Sequence, residues 1–292
     1  NDNRSIVLAL NGEVYNYLEK RKELISEGYN FNTDGDAEVA LRLYEKYGEK
    51  FVDHLEGMFA IVLWDKRVNK TILIRDRFGI KPLYYNLSSQ GLFASSEIKP
   101  LLSMPTISRE VSPVGLAQFL EYGYTLAPNT FFSSIKKIPA ATMLVYQDKK
   151  VREFKYWKLE ASEKSSSLEE ILHTFDEATK LHLRSDVKLG AFLSGGLDSG
   201  LLVARASQQI SELSTYTIKF KGAPWDESPI AKAISQKYST THKTFEVDSY
   251  DLLDYLPHIL WSCDEPLADS GILPNYFISH IYYRYYKSLF RK

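Results

Sequence analysis

The chain has 292 residues, 36 Lys plus Arg against 37 Asp plus Glu, a formal net charge of -1, 44% hydrophobic residues and 13% aromatics. These proportions exclude a wholly disordered chain, and the near-zero charge argues against a protein held on nucleic acid by counterion release. The longest clean apolar run, Met58 to Trp64, is too short to span a bilayer, and the single cysteine, Cys263, excludes an internal disulfide and a multi-cysteine zinc cage.

The length predicts about two domains. SIVLAL, Ser5 to Leu10, reads as a strand followed by a turn at Asn11-Gly12. Apolar residues at helical spacing predict helices over Tyr17–Glu27 and Ala37–Tyr47, with Gly28 and Gly48 where helix C-caps prefer glycine. MFAIVLWD and TILIRD, joined by KRVNK, give a hairpin signal. LYYN and LFASS form a second pair around Ser88 to Gly91, Val114–Tyr122 is a helix, and ATMLVY with VREFKYW makes a further hairpin turning at Gln147 to Lys150.

Residues Lys158 to Ser167, KLEASEKSSS, are polar and low in complexity, the composition of a linker. After it, strand and helix alternate. Helices are predicted at Leu168–Leu183, Leu197–Ser207, Asp226–Tyr238 and Tyr250–Ser262. Strands are predicted at Val187–Leu193, Leu213–Phe220 and His242–Val247. That alternation is the βαβ pattern of a parallel sheet with helices on both faces.

The sharpest motif is AFLSGGLDSG, Ala191 to Gly200, after an apolar strand and opening a helix. A helix N-terminus presents unpaired N–H groups and a positive partial charge. Gly195 and Gly196 let the backbone approach an anion, and Ser194 and Ser199 add hydroxyl donors. Asp198 conflicts with a phosphate unless Mg²⁺ stands between them. No Lys follows the glycines, so this is not a Walker A loop. The S-G-G-x-D-S spacing is that of the pyrophosphate loop of ATP pyrophosphatases, which cleave ATP between the α- and β-phosphates. Leu193 and Ile218, at strand ends, border any ligand there and can sandwich a purine, or they are ordinary core. Asp226-Glu227-Ser228 is a helix N-cap or part of the same site. Cys263-Asp264-Glu265-Pro266-Leu267-Ala268-Asp269 is an acidic loop, facing a charged site or solvent, and Cys263 reads as a packing residue.

In the first half, Asn11-Gly12-Glu13 offers a donor, acceptors and a charge for the polar groups of an amino acid; Asn-Gly is equally a hairpin turn. Asp36 is a natural N-cap that can also bind an ammonium group. Arg75 to Tyr85, RDRFGIKPLYY, reads as a structural turn with paired Arg and Asp.

NGEVYNY, the GDAEV element, GMFAIVLWD, RDRFGIKPLYY, FASSEIK, LSGGLDSG and DEPLAD fall in the order found in glutamine-hydrolysing asparagine synthetases, which the chain resembles over nearly its whole length. The resemblance implies an α+β N-terminal-nucleophile hydrolase-type domain of stacked antiparallel sheets with helices, a class II glutamine amidotransferase, over 1–157. It implies a linker over 158–167 and an incomplete α/β parallel-sheet ATP-pyrophosphatase domain, adenine nucleotide alpha hydrolase-like, over 168–292. By that resemblance Asn11, Gly12, Glu13 and Asp36 bind glutamine, and Asn11 also donates to the oxyanion. ATP lies on Leu193, Ser194, Gly195, Gly196, Leu197, Asp198, Ser199 and Ile218, with Mg²⁺ near Asp198. Ammonia from glutamine would displace AMP from β-aspartyl-AMP to give asparagine, making the parent a C–N ligase of asparagine biosynthesis. The expected partners are these small molecules, with no nucleic acid and no membrane; the expected assembly is a homodimer and the expected location cytoplasmic.

The family's glutaminase nucleophile is an N-terminal Cys well ahead of NGE, followed by an Arg that binds the glutamine carboxylate; neither is found ahead of Asn11 here. A second glycine-rich acidic loop, expected after DEPLAD, does not occur before Lys292. Lys219 and Gly200 sit where many relatives carry Gly and Ser. The chain is therefore expected to be a piece of a longer protein, without glutaminase activity by itself. The competing readings are a β-lactam-synthetase-like enzyme adenylating another carboxylate, a catalytically dead binding module, and a nucleic-acid arm in the Tyr-Arg-Tyr-Tyr-Lys tail; for the tail, a helix cut short is the simpler account.

Overall fold

The structure, a computed structural model, describes residues 1–161, 165–185, 187–222 and 224–289. The chain divides into two compact units, Asn1–Ser162 with Asp264–Ala268, and Glu163–Cys263 with Asp269–Lys292. Of the expected linker, residues 162–164 lie outside the described residues, as do residues 290–292, which follow the Tyr-Arg-Tyr-Tyr-Lys stretch.

The first unit is built on two antiparallel sheets. One has the order β1-β2-β3-β7-β8: β1 (Ile6–Val14), β2 (Gly57–Asp65), β3 (Lys70–Arg75), β7 (Thr142–Gln147) and β8 (Lys150–Lys155). The other has the order β5-β4-β6: β4 (Tyr84–Ser88), β5 (Gly91–Ser95) and the short β6 (Lys136–Lys137). The helices are α1 (Tyr17–Ser26), α2 (Asp36–Tyr47), α3 (Ile98–Leu102) and α4 (Pro113–Tyr122), with a 3₁₀ helix over Gly48–His54.

Side chains alternate across a strand, and here both faces are covered. Phe59, Ile61 and Leu63 of β2 pack with Leu24 of α1 and Val39 and Leu43 of α2. Ala60, Leu73 and Leu144 face the other way, onto Tyr85 and Leu92 of the second sheet and Leu83 just before it. Tyr84 and Phe93 then meet Ile98 and Leu101 of α3. The layers run helix, sheet, sheet, helix, which is why MFAIVLWD is almost continuously apolar rather than alternating. Phe59, Ile61, Leu63, Ile72, Leu73 and Ile74 are each at most 2% exposed. Burying each side chain contributes about 1.5–3 kcal/mol.

Two expectations are corrected. Asn11-Gly12 does not turn: β1 runs through it, with Asn11 opposite Ala60 and Gly12 opposite Phe59. Nine paired positions with β2 outweigh a two-residue turn preference. Gly12 has φ +139, and a Cβ there would stand 2.0 Å from the Met58 carbonyl oxygen. The glycine therefore serves close strand approach rather than reversal. Asp36 is not the N-cap of α2; that position is Gly35, without a side-chain cap. The Asp36 carboxylate Oδ2 instead accepts the Val14 N–H at 2.8 Å, so the end of β1 has recruited it. The 3₁₀ helix, α3 and β6 were not legible, being too short to show a period.

The second unit has a parallel sheet of order β11-β10-β9, from β9 (Gly190–Phe192), β10 (Ser214–Phe220) and β11 (Thr241–Val247). Its helices are α5 (Leu168–His182), α6 (Leu197–Ala206), α7 (Ser228–Lys237), α8 (Ser249–Ser262) and α9 (Ile272–Leu289). A capping box opens α5. The Ser167 hydroxyl accepts the Glu170 N–H at 3.2 Å, and the Glu170 carboxylate accepts the Ser167 N–H at 2.9 Å. Leu193, Val203 and Ala206 pack with Ala231 of α7 on one side of the sheet. Tyr216, Phe245 and Val247 pack with Ile259 of α8 and Phe277 and Ile278 of α9 on the other. Tyr282, immediately before the Tyr-Arg-Tyr-Tyr-Lys stretch, lies edge-on to Tyr216 at 4.8 Å and packs within this unit; the side chains of residues 284–287 in that stretch lie outside the described ones.

Candidate functional site

The loop between β9 and α6 lies at the carboxyl end of the parallel sheet, where open α/β folds place ligands. Leu193 is 2% exposed, its N–H donates to the Tyr216 carbonyl at 2.8 Å, and its carbonyl accepts the Thr217 hydroxyl at 2.5 Å. The strand end is thereby fixed, and the chain rises from it into Ser194-Gly195-Gly196, with Ser194 and Gly196 exposed and Gly195 half-buried. The two serines shape that rise. Their hydroxyls are 2.8 Å apart; Ser199 Oγ accepts the Ser194 N–H at 3.2 Å, and Ser194 Oγ accepts the Gly196 N–H at 3.1 Å. The Gly195 N–H donates to Glu227 Oε2 at 3.1 Å. A Cβ on Gly195 would crowd the Glu227 Cβ at 3.1 Å.

Beside the loop is a cavity of about 490 Å³, within the size range of small-molecule and cofactor sites. Leu193, Ser194, Ser199 and Ile218 line it, so these four sequence-derived positions are brought together. Gly195 and Gly196 are not among the lining residues, though the Gly195 N–H donates to Glu227, which is. Leu197, 84% exposed, and Asp198 stand on the first turn of α6 and are not among the lining residues. Lys219, Trp225, Asp226 and Glu227 complete the mouth. The N-cap of α7 is Glu227, without a side-chain cap; Asp226 precedes it, its Oδ1 accepting the Ser228 N–H at 3.0 Å, and it lines the cavity. Its Oδ2 is 3.1 Å from Lys219 Nζ. The Ser228 hydrogen bonds and then Lys219 hold the Asp226 carboxyl below the usual carboxylate range, while Asp226 raises the Lys219 ammonium above its ordinary value. In the sequence Lys219 stands out only as a departure from relatives that carry Gly, and Trp225 does not stand out. The available signal was a cation directly after Ile218 and an aromatic directly before Asp226.

Mg²⁺ is commonly held by one or two carboxylates together with substrate phosphates, not by a protein cage. Among the described residues no cluster of three or more His, Cys, Asp or Glu is arranged for a metal. The exposed Asp198 carboxylate beside the loop fits the first pattern.

In the first unit, Asn11 and Glu13 are exposed on one face of β1 with Gly12 between them. Asn11 Nδ2 donates to Ser96 Oγ at 3.0 Å. Asp36 joins the group through its bond to Val14. Strand register and the α2 start thus gather Asn11, Gly12, Glu13 and Asp36 at one edge. The RDRFGIKPLYY turn is structural, but its Arg and Asp are bound to backbone rather than paired. Asp76, 0% exposed, accepts the N–H groups of Phe78, Ile80 and Lys81 at 3.1, 3.0 and 2.9 Å. Arg75 donates to the carbonyls of Lys81, Ile138 and Gly79 at 2.8, 2.8 and 2.7 Å.

The acidic loop is divided: Asp264 and Glu265 turn inward, while Leu267, Ala268 and Asp269 are exposed. Asp264 Oδ2 accepts the Ile98 N–H at 2.8 Å and Oδ1 meets Lys99 Nζ at 2.5 Å, holding the start of α3. Glu265 Oε2 accepts the Thr125 hydroxyl and the Phe131 N–H, both at 2.7 Å, and Oε1 is 3.0 Å from Lys137. Residues 264–268 therefore count with the first unit, although sequence order puts them in the second half. Cys263 is half-buried, its thiol donating to the Ile259 carbonyl at 3.0 Å.

Residues 1–157 match the family of the glutamine amidotransferase domain, and residues 170–285 match that of asparagine synthase. The chain is 32% identical over 277 residues to asparagine synthetase [glutamine-hydrolyzing] 1 of Bacillus subtilis, covering 93% of this chain and 44% of that protein. It is 32% identical over 292 residues to a putative asparagine synthetase [glutamine-hydrolyzing] 2 of Methanocaldococcus jannaschii, covering 96% of this chain and 56% of that one. The chain thus spans about half the length of these curated relatives. Among solved structures, a glutamine phosphoribosylpyrophosphate amidotransferase from B. subtilis has 15% identity and a TM-score of 0.37, over 82% of this chain and 45% of that one. No helix among the described residues is long and apolar enough to cross a membrane.

Proposed function

The chain belongs to the glutamine amidotransferase domain family over residues 1–157, and from that membership we propose that the whole protein makes asparagine from aspartate, with glutamine as nitrogen donor and ATP as activator. The observation that carries the reading is the pyrophosphate-type loop bordering a nucleotide-sized cavity, in the same chain as an amidotransferase half.

In the first unit, of N-terminal-nucleophile hydrolase type, glutamine would lie along the Asn11–Glu13 edge. Asn11 Nδ2 carries two hydrogens; one goes to Ser96, and the other is available to a tetrahedral oxyanion, whose stabilisation is the largest service such a donor performs. Glu13 and the second oxygen of Asp36 would receive the α-ammonium. Gly12 lets the backbone stay close to β2 beneath the ligand.

In the second unit, of ATP-pyrophosphatase type, the N–H groups of Ser194 to Gly196 and the start of α6 would hold the pyrophosphate portion of ATP. Leu193 and Ile218 would flank the adenosine. Mg²⁺ would neutralise charge between Asp198 and the phosphates. The aspartate carboxylate attacks the α-phosphorus, pyrophosphate leaves, and ammonia then displaces AMP from the acyl phosphate to give the amide.

The test is calorimetric titration of the chain with ATP, with Ser199→Ala beside it. Binding that weakens about tenfold in the variant is expected, since the hydroxyl fixes the loop. No binding by the unaltered chain overturns the nucleotide assignment. Pyrophosphate release by the whole protein with another carboxylate, and none with aspartate, overturns the substrate.

A further inference from the structure

The pyrophosphate-type loop carries no cation of its own: Ser194 to Ser199 holds a carboxylate and no Lys or Arg. The cavity beside it is lined by two carboxylates, Asp226 and Glu227, and among its lining residues Lys219 is the single cation. A nucleoside triphosphate brings several negative charges into that setting. Backbone N–H groups and a helix dipole offset only part of them, and like charges on the two acids work against the rest.

Lys219 is placed for this task by the sheet. It follows Ile218 near the carboxyl end of β10, the central strand, on the side of the sheet end where the loop opens. Its ammonium is held at the cavity mouth by Asp226 at 3.1 Å, and its side chain is 37% exposed. An ion pair so exposed is weak and exchanges readily. Glu227, next to Asp226 in the chain, does the equivalent at the loop, where its carboxylate accepts the Gly195 N–H at 3.1 Å. Two donors at the site, the Lys219 ammonium and the Gly195 N–H, are thus each held by a carboxylate of the Asp226-Glu227 pair, which is the kind of group an incoming phosphate replaces.

We propose that Lys219 is a phosphate-binding residue of this site, exchanging Asp226 for a phosphate oxygen when a nucleoside polyphosphate enters. The proposal rests on the nucleotide reading given above and adds a residue that the loop motif does not contain. The exchange is non-covalent: Lys219 keeps its proton and positive charge, and Asp226 is released to solvent or to the metal that accompanies the phosphates.

The test is calorimetry on the full chain with two probes, ATP and adenosine, in buffer with magnesium. Unaltered chain that binds neither refutes the nucleotide reading itself. Given binding, Lys219→Gln is expected to weaken ATP about tenfold or more while changing adenosine less than twofold, and Lys219→Arg to restore ATP. The slope of ATP affinity against salt should fall in Lys219→Gln. Equal weakening of ATP and adenosine would mean that Lys219 only supports the cavity wall through Asp226. Unchanged ATP binding would mean that it does not reach the phosphates. Either result overturns the proposal and leaves the nucleotide reading standing.

Discussion

Replacing Gly12 by Ala tests whether β1 runs unbroken through the candidate amide site. Gly12 has φ +139, a conformation that costs an L-residue on the order of 1–3 kcal/mol. The added Cβ would lie 2.0 Å from the Met58 carbonyl oxygen and 2.8 Å from the Phe59 Cα, where ordinary contact begins at 3.4 Å. Both neighbours are backbone of β2, so neither can rotate aside, and β2 would have to recede by about 1.4 Å. That movement breaks the ladder bonds flanking Gly12, each contributing about 1 kcal/mol. Together these effects amount to about 3–5 kcal/mol, at the large end for one substitution. Gly28→Ala is the control, because Gly28 has φ +92 with nothing within 4 Å of its Cβ, so only the conformational strain is felt. Urea unfolding followed by circular dichroism gives both losses. A Gly12→Ala loss within about 1 kcal/mol of the Gly28→Ala loss would show that β1 and β2 are not in register at this point.

Other substitutions probe the remaining supports. Asp76→Ala removes the acceptor for three backbone N–H groups and should cost about 3 kcal/mol in the same unfolding assay, whereas a loss under 1 kcal/mol would mean that water replaces it. Glu265→Ala should destabilise the first unit by about 2–4 kcal/mol, since it strands Lys137 and the Phe131 N–H; an effect seen only in the second unit's transition would contradict the assignment of residues 264–268. The Asp65 carboxyl is held below its ordinary value by hydrogen bonds from Arg67, and Tyr44 adds a further one. A carboxyl depressed in the folded state contributes stability that is present above its unfolded pKa of about 3.9 and is lost as pH falls through the lower folded value. Thermal midpoints of Asp65→Asn should therefore vary less than those of the unaltered chain below about pH 4, and parallel acid limbs would refute this.

Local pattern made much of this protein readable. The hairpins at β2–β3, β4–β5 and β7–β8 carry β-branched or aromatic residues around polar turns, and the helices from α5 to α8 carry an apolar period, so neighbours in sequence specify them. The loop at Ser194–Ser199 was legible for the same reason: its glycines, hydroxyls and helix start are consecutive residues. What the sequence could not decide were choices made between distant segments. Asn11-Gly12 has the composition of a turn and became strand because β2 pairs with it across nine positions. Asp36 has the chemistry of a cap and was drawn instead to Val14. Asp264 and Glu265 look like solvated acids, yet their partners at Lys99 and Lys137 lie more than a hundred residues earlier. Lys219 and Asp226 become one feature only when the end of β10 and the start of α7 meet at the cavity. Composition and period fix what a segment can form; which partner a buried or half-buried polar group finds is settled by desolvation and hydrogen bonding across the fold, and that information exists only once the chain is folded.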